Sequence, residues 1–200
     1  KADNYPDFSV NKTYPNVKRK WCVQTGTAIY SSPVVEGNRV FVGDDAGILT
    51  AYNLKTGKKL WAYQSGNRIV GTPAVENGIV VFGSADQYIY GIDAKNGSLK
   101  WRVQAEAPVL GAVTIQQGIA YIGSSDHIFR AIDIQNGKVV WTYNKVKGYV
   151  ETKPLVTNNQ VIFGAWDNTL YSLNQKNGHE IWRWTGNLTR MHFSPAAVWP

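Results

Sequence analysis

Residues 91–101 read GIDAKNGSLKW, and the same spelling returns at 51–61 (AYNLKTGKKLW), 131–141 (AIDIQNGKVVW) and 172–182 (SLNQKNGHEIW). A small residue opens each copy, Asp or Asn stands third, Gly seventh and Trp last. The Asp or Asn side chain can accept hydrogen bonds from the amides of its own turn, and the Gly can take the left-handed conformation that closes it. With Trp21, the tryptophans fall at 21, 61, 101, 141 and 182, spacings of 40, 40, 40 and 41. Such a register identifies a repeat protein, so the repeat must be read before any single motif.

Each period contains four candidate strands. The first follows a proline or its substitute (Pro33, Pro73, Val113, Pro154). A two-residue turn comes next: Gly37-Asn38, Asn77-Gly78, Gln117-Gly118 and Asn158-Asn159. Most of these residues accept the positive φ of a tight hairpin. The second strand is β-branched and aromatic, as in Val80-Val81-Phe82, and ends on Gly43, Gly83, Gly123 or Gly164. The third leads into the Gly turn and the fourth carries the Trp. The sequence therefore predicts an all-β β-propeller of four-stranded antiparallel blades. Its full blades span about 30–64, 70–104, 110–144 and 151–185, with partial blade strands at 18–24 and 193–200. Residues 1–17 are polar, lack the apolar core of a signal peptide, and read as a linker or trimmed N-terminal segment. The small residue ten before each Trp is expected to leave room for a neighbouring indole between blades.

Composition excludes several classes. Of 200 residues, 44% are hydrophobic, which supports a packed core and rules out a disordered chain. No apolar run is long enough for a membrane-spanning helix. One cysteine, Cys22, forbids an intrachain disulfide. Beside Trp21 on an expected strand, it reads as a buried inert thiol. The net charge is +7, but most cations sit singly in turns, and Lys18-Arg19-Lys20 is the one dense cluster. That distribution argues against nucleic acid.

The pattern small-x-Asp/Asn-x-x-Thr/Asn-Gly-x-x-x-Trp resembles the tryptophan-docking motif of pyrroloquinoline quinone (PQQ)-type propeller repeats, across residues 18–200. The resemblance implies structural docking by Trp21, Trp61, Trp101, Trp141 and Trp182 on Gly57, Gly97, Gly137 and Gly178. It also implies a ring of seven or eight blades, of which this chain would be a part, and a periplasmic or otherwise extracytoplasmic setting. The family includes quinoprotein alcohol dehydrogenases, the propeller of the outer-membrane β-barrel assembly lipoprotein, and propellers fused to other bacterial domains.

Catalytic constellations are not evident. Quinoprotein dehydrogenases would bring adjacent cysteines, a calcium site and a catalytic Asp. There is no Cys-Cys pair, and Asp86, Asp126 and Asp167 recur three residues after the strand-end Gly, where a turn role is expected. His127, His179 and His192 share no metal-ligand spacing. No cofactor is expected in these blades, PQQ being open only to a complete propeller.

Irregularity points elsewhere. The intervals within a blade are constant, but the segment from Trp to the next Pro lengthens from 12 to 13 residues after Trp141 and again after Trp182. Connections between blades share a face with the turns between second and third strands. Function is usually placed on such loops. Arg68, Tyr149, Glu151, Trp166, Arg190 and His192 are the candidate partner-binding residues. Trp166 stands where other copies have Asp45, Ala85 and Ser125. The leading expectation is a non-catalytic scaffold for protein or peptide partners, with self-association through unpaired blade ends also open. Rival readings are part of a PQQ-dependent dehydrogenase, or an accessory domain of a phosphoesterase or kinase.

Overall fold

The computed structural model describes residues 18–157 and 159–186. The readings of 1–17, Asn158, Arg190, His192 and the 193–200 strand lie outside the described residues. Four antiparallel sheets follow one another along the chain. The first is β1 (Val34–Glu36), β2 (Arg39–Gly43), β3 (Ile48–Asn53) and β4 (Lys59–Gln64). The second is β5 (Ala74–Glu76), β6 (Ile79–Gly83), β7 (Tyr88–Asp93) and β8 (Leu99–Gln104). The third is β9 (Thr114–Gln116), β10 (Ile119–Gly123), β11 (Phe129–Asp133) and β12 (Val139–Tyr143). The fourth is β13 (Leu155–Val156), β14 (Gln160–Ala165), β15 (Thr169–Asn174) and β16 (Glu180–Thr185). Strands pair in chain order within each sheet, the meander of a propeller blade. The first strands β1, β5, β9 and β13 neighbour one another across blades, so they form the inner wall and the Trp strands the outer rim.

The hydrophobic core lies between sheets. One cluster joins the first two blades through Phe41, Leu49, Phe82, Tyr90 and Ile92. A second joins the middle pair through Ile89, Trp101, Val109, Ile122 and Ile132. A third joins the last pair through Phe129, Trp141, Phe163 and Tyr171. Because the second strand of a middle blade has a neighbour on both faces, β6 is buried along its whole length. This explains its unbroken apolar spelling, since alternation belongs to sheets with one wet face. Phe129 stacks on Phe163 with centroids 4.0 Å apart.

Each indole bridges two blades. Trp21, Trp61, Trp101 and Trp141 donate Nε1–H to the carbonyls of Leu54, Ala94, Ile134 and Gln175, at 2.9, 3.2, 2.6 and 3.0 Å. Their rings lie against Gly57, Gly97, Gly137 and Gly178, all at φ between +71° and +77°. The small residue ten before the Trp serves a different indole from the one expected. Ala51, Gly91 and Ala131 pair across the sheet with Trp61, Trp101 and Trp141 of their own blade. A Cβ at Gly91 would run into Trp101. The indole is thus held between a small residue of its own sheet and the turn Gly of the next.

The hairpin turns of the second and third blades bear out their spelling: Asn77, Gly78, Gln117 and Gly118 all have positive φ, as type I′ turns require, whereas in the first blade Gly37 has positive φ and Asn38 does not. Glu36 accepts a hydrogen bond from Gly78 N at 3.1 Å and Glu76 one from Gly118 N at 3.4 Å, tying successive blades. Residues 18–24, read as a fourth strand, form no ladder with any described segment, although Trp21 keeps its contact. Among the described residues no helix is long and apolar enough to cross a membrane.

Candidate functional site: the blade-connection face

The connections between blades and the turns between second and third strands are hydrogen-bonded to each other on one face. The residue two after each strand-end Gly donates its amide to the connection beside it. Asp45 N bonds Ala28 O, Ala85 N bonds Arg68 O, Ser125 N bonds Pro108 O and Trp166 N bonds Tyr149 O, at 2.9–3.0 Å. The scaffold therefore presents one pair of side chains at each junction. Three pairs are small, polar or charged, and the fourth is Tyr149 with Trp166.

The sequence around this pair fixes its position. Val150 is fully buried against Gly123, as Val109 is against Gly83 and Ile69 against Gly43. This aliphatic plug anchors the connection and leaves the preceding residue at the surface. Gly148 allows the backbone to approach the turn, since a Cβ there would fall on Trp166 and Asp167 backbone atoms. Lys147 N donates to Asp167 Oδ2 at 2.9 Å. Tyr149 and Trp166 remain 47% and 54% exposed, with ring centroids 6.4 Å apart. His127 adds a third ring, edge-on to Tyr149 at 5.4 Å. The result is an aromatic row across the last two described blades.

His127 was missed as a member. Its signal was its place in the turn: it holds φ +66° where Gly47, Gln87 and Asn168 hold the same left-handed slot. Glu151 lies next to the plug and is half-buried. Arg68 is exposed at the junction of the first two blades, two junctions from Tyr149, and does not join the row.

The recurring aspartates are committed to the frame. Asp86 accepts from Tyr88 N, Gly66 N and the Tyr90 hydroxyl. Asp167 accepts from Thr169 N, Lys147 N and the Tyr171 hydroxyl. Asp126 accepts from Ile128 N, Glu106 N, Ser124 and a buried Arg130. Each carboxylate closes its own turn and latches the preceding connection. In the first blade, where Ala46 fills the slot, Asp44 closes the turn through Ala46 N and Ile48 N. Burial, then the bond to Asp167 and its charge, pushes the Tyr171 phenol up to about 12, so it stays a donor near neutrality. The oxygens of these carboxylates are thus engaged by donors of the frame itself. No group of three or more His, Cys, Asp or Glu is placed for a metal among the described residues.

Cys22 corrects an expectation. It is exposed, because residues 18–24 pair with no described strand and only Trp21 among them is part-buried, against the neighbouring turn.

A family model described as outer membrane protein assembly factor BamB matches residues 15–144 and 111–198. No curated protein matches. BamB from Moraxella catarrhalis superimposes with a TM-score of 0.69 at 20% identity, over 83% of this chain and 53% of that one. The computationally designed protein Ika8 gives 0.71 at 22% identity, over 78% and 48%. A quinohemoprotein alcohol dehydrogenase from Pseudomonas putida HK5 gives 0.72 at 16% identity, over 82% and 35%. At these identities the likeness is one of fold. The chain spans about half the length of the first two structures and about a third of the other.

Proposed function

Because the chain belongs to the PQQ-like propeller family described by outer membrane protein assembly factor BamB, we propose that it is a non-catalytic scaffold for a protein or peptide partner in the bacterial cell envelope. The observation that carries this reading is the aromatic row His127–Tyr149–Trp166, held on a rigid frame and half open to solvent. Trp and Tyr bury large area at little conformational cost, and such residues dominate binding energy at interface centres. The hydrogen bond between their backbones fixes where the two side chains leave the frame, so less ordering of the main chain remains to oppose association. Glu151 and Lys147 flank the row in the chain and would supply a polar rim. The envelope setting is supported by the name of the matching family. No cofactor is assigned to these blades.

The test is capture from envelope extracts followed by affinity measurement on the captured partner. Tyr149→Ala and Trp166→Ala are each expected to weaken binding by about 1–2 kcal/mol, with the melting temperature within a few degrees of the parent. Arg68→Ala, two junctions away, is expected to change little. Equal affinity in both aromatic variants, or loss only on substituting the Lys95 turn of the opposite face, would remove the site from the connection face.

A further inference from the structure

Six cations gather at the outer edge of the first blade, on the face opposite Tyr149 and Trp166. Lys18, Arg19 and Lys20 precede Trp21, and Lys55, Lys58 and Lys59 belong to the turn on which Trp21 rests. The indole joins the two stretches, donating to Leu54 O at 2.9 Å and lying against Gly57. All six side chains are exposed. The ion pairs among the described residues are Lys100–Asp93, Arg130–Asp126 and Arg183–Glu180, so none of the six takes part in one.

The first blade also lacks a carboxylate that its successor keeps. Asp93 closes its turn through Lys95 N and Asn96 N and pairs with Lys100 at 3.3 Å. Asn53 closes the equivalent turn through Lys55 N and Thr56 N. The neutral amide makes the same turn and offsets no lysine. Among the cations stand Leu54 and Leu60, 38% and 44% exposed.

We propose that this edge binds an anionic lipid surface, the six cations meeting headgroup phosphates and the two leucines reaching the acyl boundary. Basic clusters draw anionic headgroups within a Debye length, and apolar side chains beside them add binding that salt does not screen. Nucleic acid suits the edge less well. Within residues 18–24 and 54–60 the one aromatic ring is Trp21, and one of its faces lies against Gly57, so the edge lacks the succession of aromatic platforms on which bases stack. An acidic peptide would satisfy the lysines and leave the leucines in water. Docked this way, the protein would turn its aromatic row away from the lipid.

Vesicle co-sedimentation of the intact chain tests this, comparing pure phosphatidylcholine with phosphatidylcholine containing phosphatidylglycerol. Binding to the anionic vesicles alone is expected, weakening as salt rises. The triple variant Lys55→Gln, Lys58→Gln, Lys59→Gln is expected to bind roughly 100-fold more weakly, at about fivefold per cation, with an unchanged melting temperature. Leu54→Ser with Leu60→Ser is expected to abolish the binding that survives at high salt. No preference for anionic vesicles, or binding unchanged in the triple variant, would overturn the proposal. So would tighter binding to a DNA oligonucleotide or to polyglutamate than to the vesicles at equal salt. Should the triple variant misfold, the salt and lipid dependence of the parent decides alone.

Discussion

Replacing Trp101 by alanine is expected to cost about 3–5 kcal/mol, the range for deleting a large buried aromatic side chain. For a chain of this size that lowers the melting temperature by roughly 6–20 °C. The side chain is nearly buried and belongs to the cluster between the second and third blades. Its removal opens a cavity between Gly91 and Gly137 and leaves Ile134 O without its donor. The same contact can be read from the glycine side. Gly97 and Gly118 both hold φ +77°, but a Cβ at Gly97 would stand 2.7 Å from the Trp61 ring, whereas one at Gly118 meets nothing within 4 Å. Gly118→Ala is therefore expected to show backbone strain alone, about 1–2 kcal/mol. Gly97→Ala adds overpacking of about 1–3 kcal/mol. Chemical denaturation of the three variants checks the account. Equal losses at the two glycines would mean that the indole can move aside, and a parental melting temperature for Trp101→Ala would deny the indole its place between blades.

The blades were legible because their signals are local. Hairpin turns spelled Asn77-Gly78 and a Gly turn opened by Asp93 each act within a few residues, so spelling determines conformation, and the return of Trp about every 40 residues marks the length of the unit. What the sequence left obscure depends on contacts between copies. The small residue before each Trp was assigned to a neighbouring indole because spacing alone does not show which side of a sheet the ring crosses. Cys22 looked buried because the expected strand carried no mark of which side faced solvent. Tyr149 and Trp166 were found as departures from the repeat. Arg68, chosen by the same slot, sits at another junction. His127 carries no signal as a metal ligand, and its place beside Tyr149 comes from a left-handed turn position that the other copies fill with Gly47, Gln87 and Asn168. Side chains from different connections meet only through the spacing of the blades, which no single copy spells out.

Arg130→Ala is expected to be as damaging as the loss of an indole, and its effect should depend on pH. In the second and fourth blades the Asp of the turn is met by a tyrosine four residues on, Tyr90 or Tyr171. In the third blade that position is Arg130, whose two terminal nitrogens fork onto Asp126. The side chains of Arg130 and Asp126 are only 7% and 2% exposed. Removing one partner of a buried pair leaves an uncompensated charge and typically costs about 3–5 kcal/mol. Arg130→Tyr repeats the solution of the neighbouring blades and is expected to recover much of that loss. Burial alone would raise the Asp126 carboxyl. Hydrogen bonds from Arg130 and Ser124, the Arg130 charge and the Glu106 amide outweigh it and hold the group below its ordinary value. A carboxylate depressed in the folded state stabilises fully above its unfolded pKa, near 3.9, and loses that contribution as pH falls through the folded value. Without Arg130 only the burial, the Ser124 bond and the amides remain, so the carboxyl takes up its proton at higher pH. The stability gap between parent and Arg130→Ala is therefore expected to be widest near neutrality and to narrow below about pH 4. Urea unfolding across that range measures it. A gap of constant size would mean that Arg130 contributes packing and no charge, and the ion pair would then have no part in holding the third blade against the second.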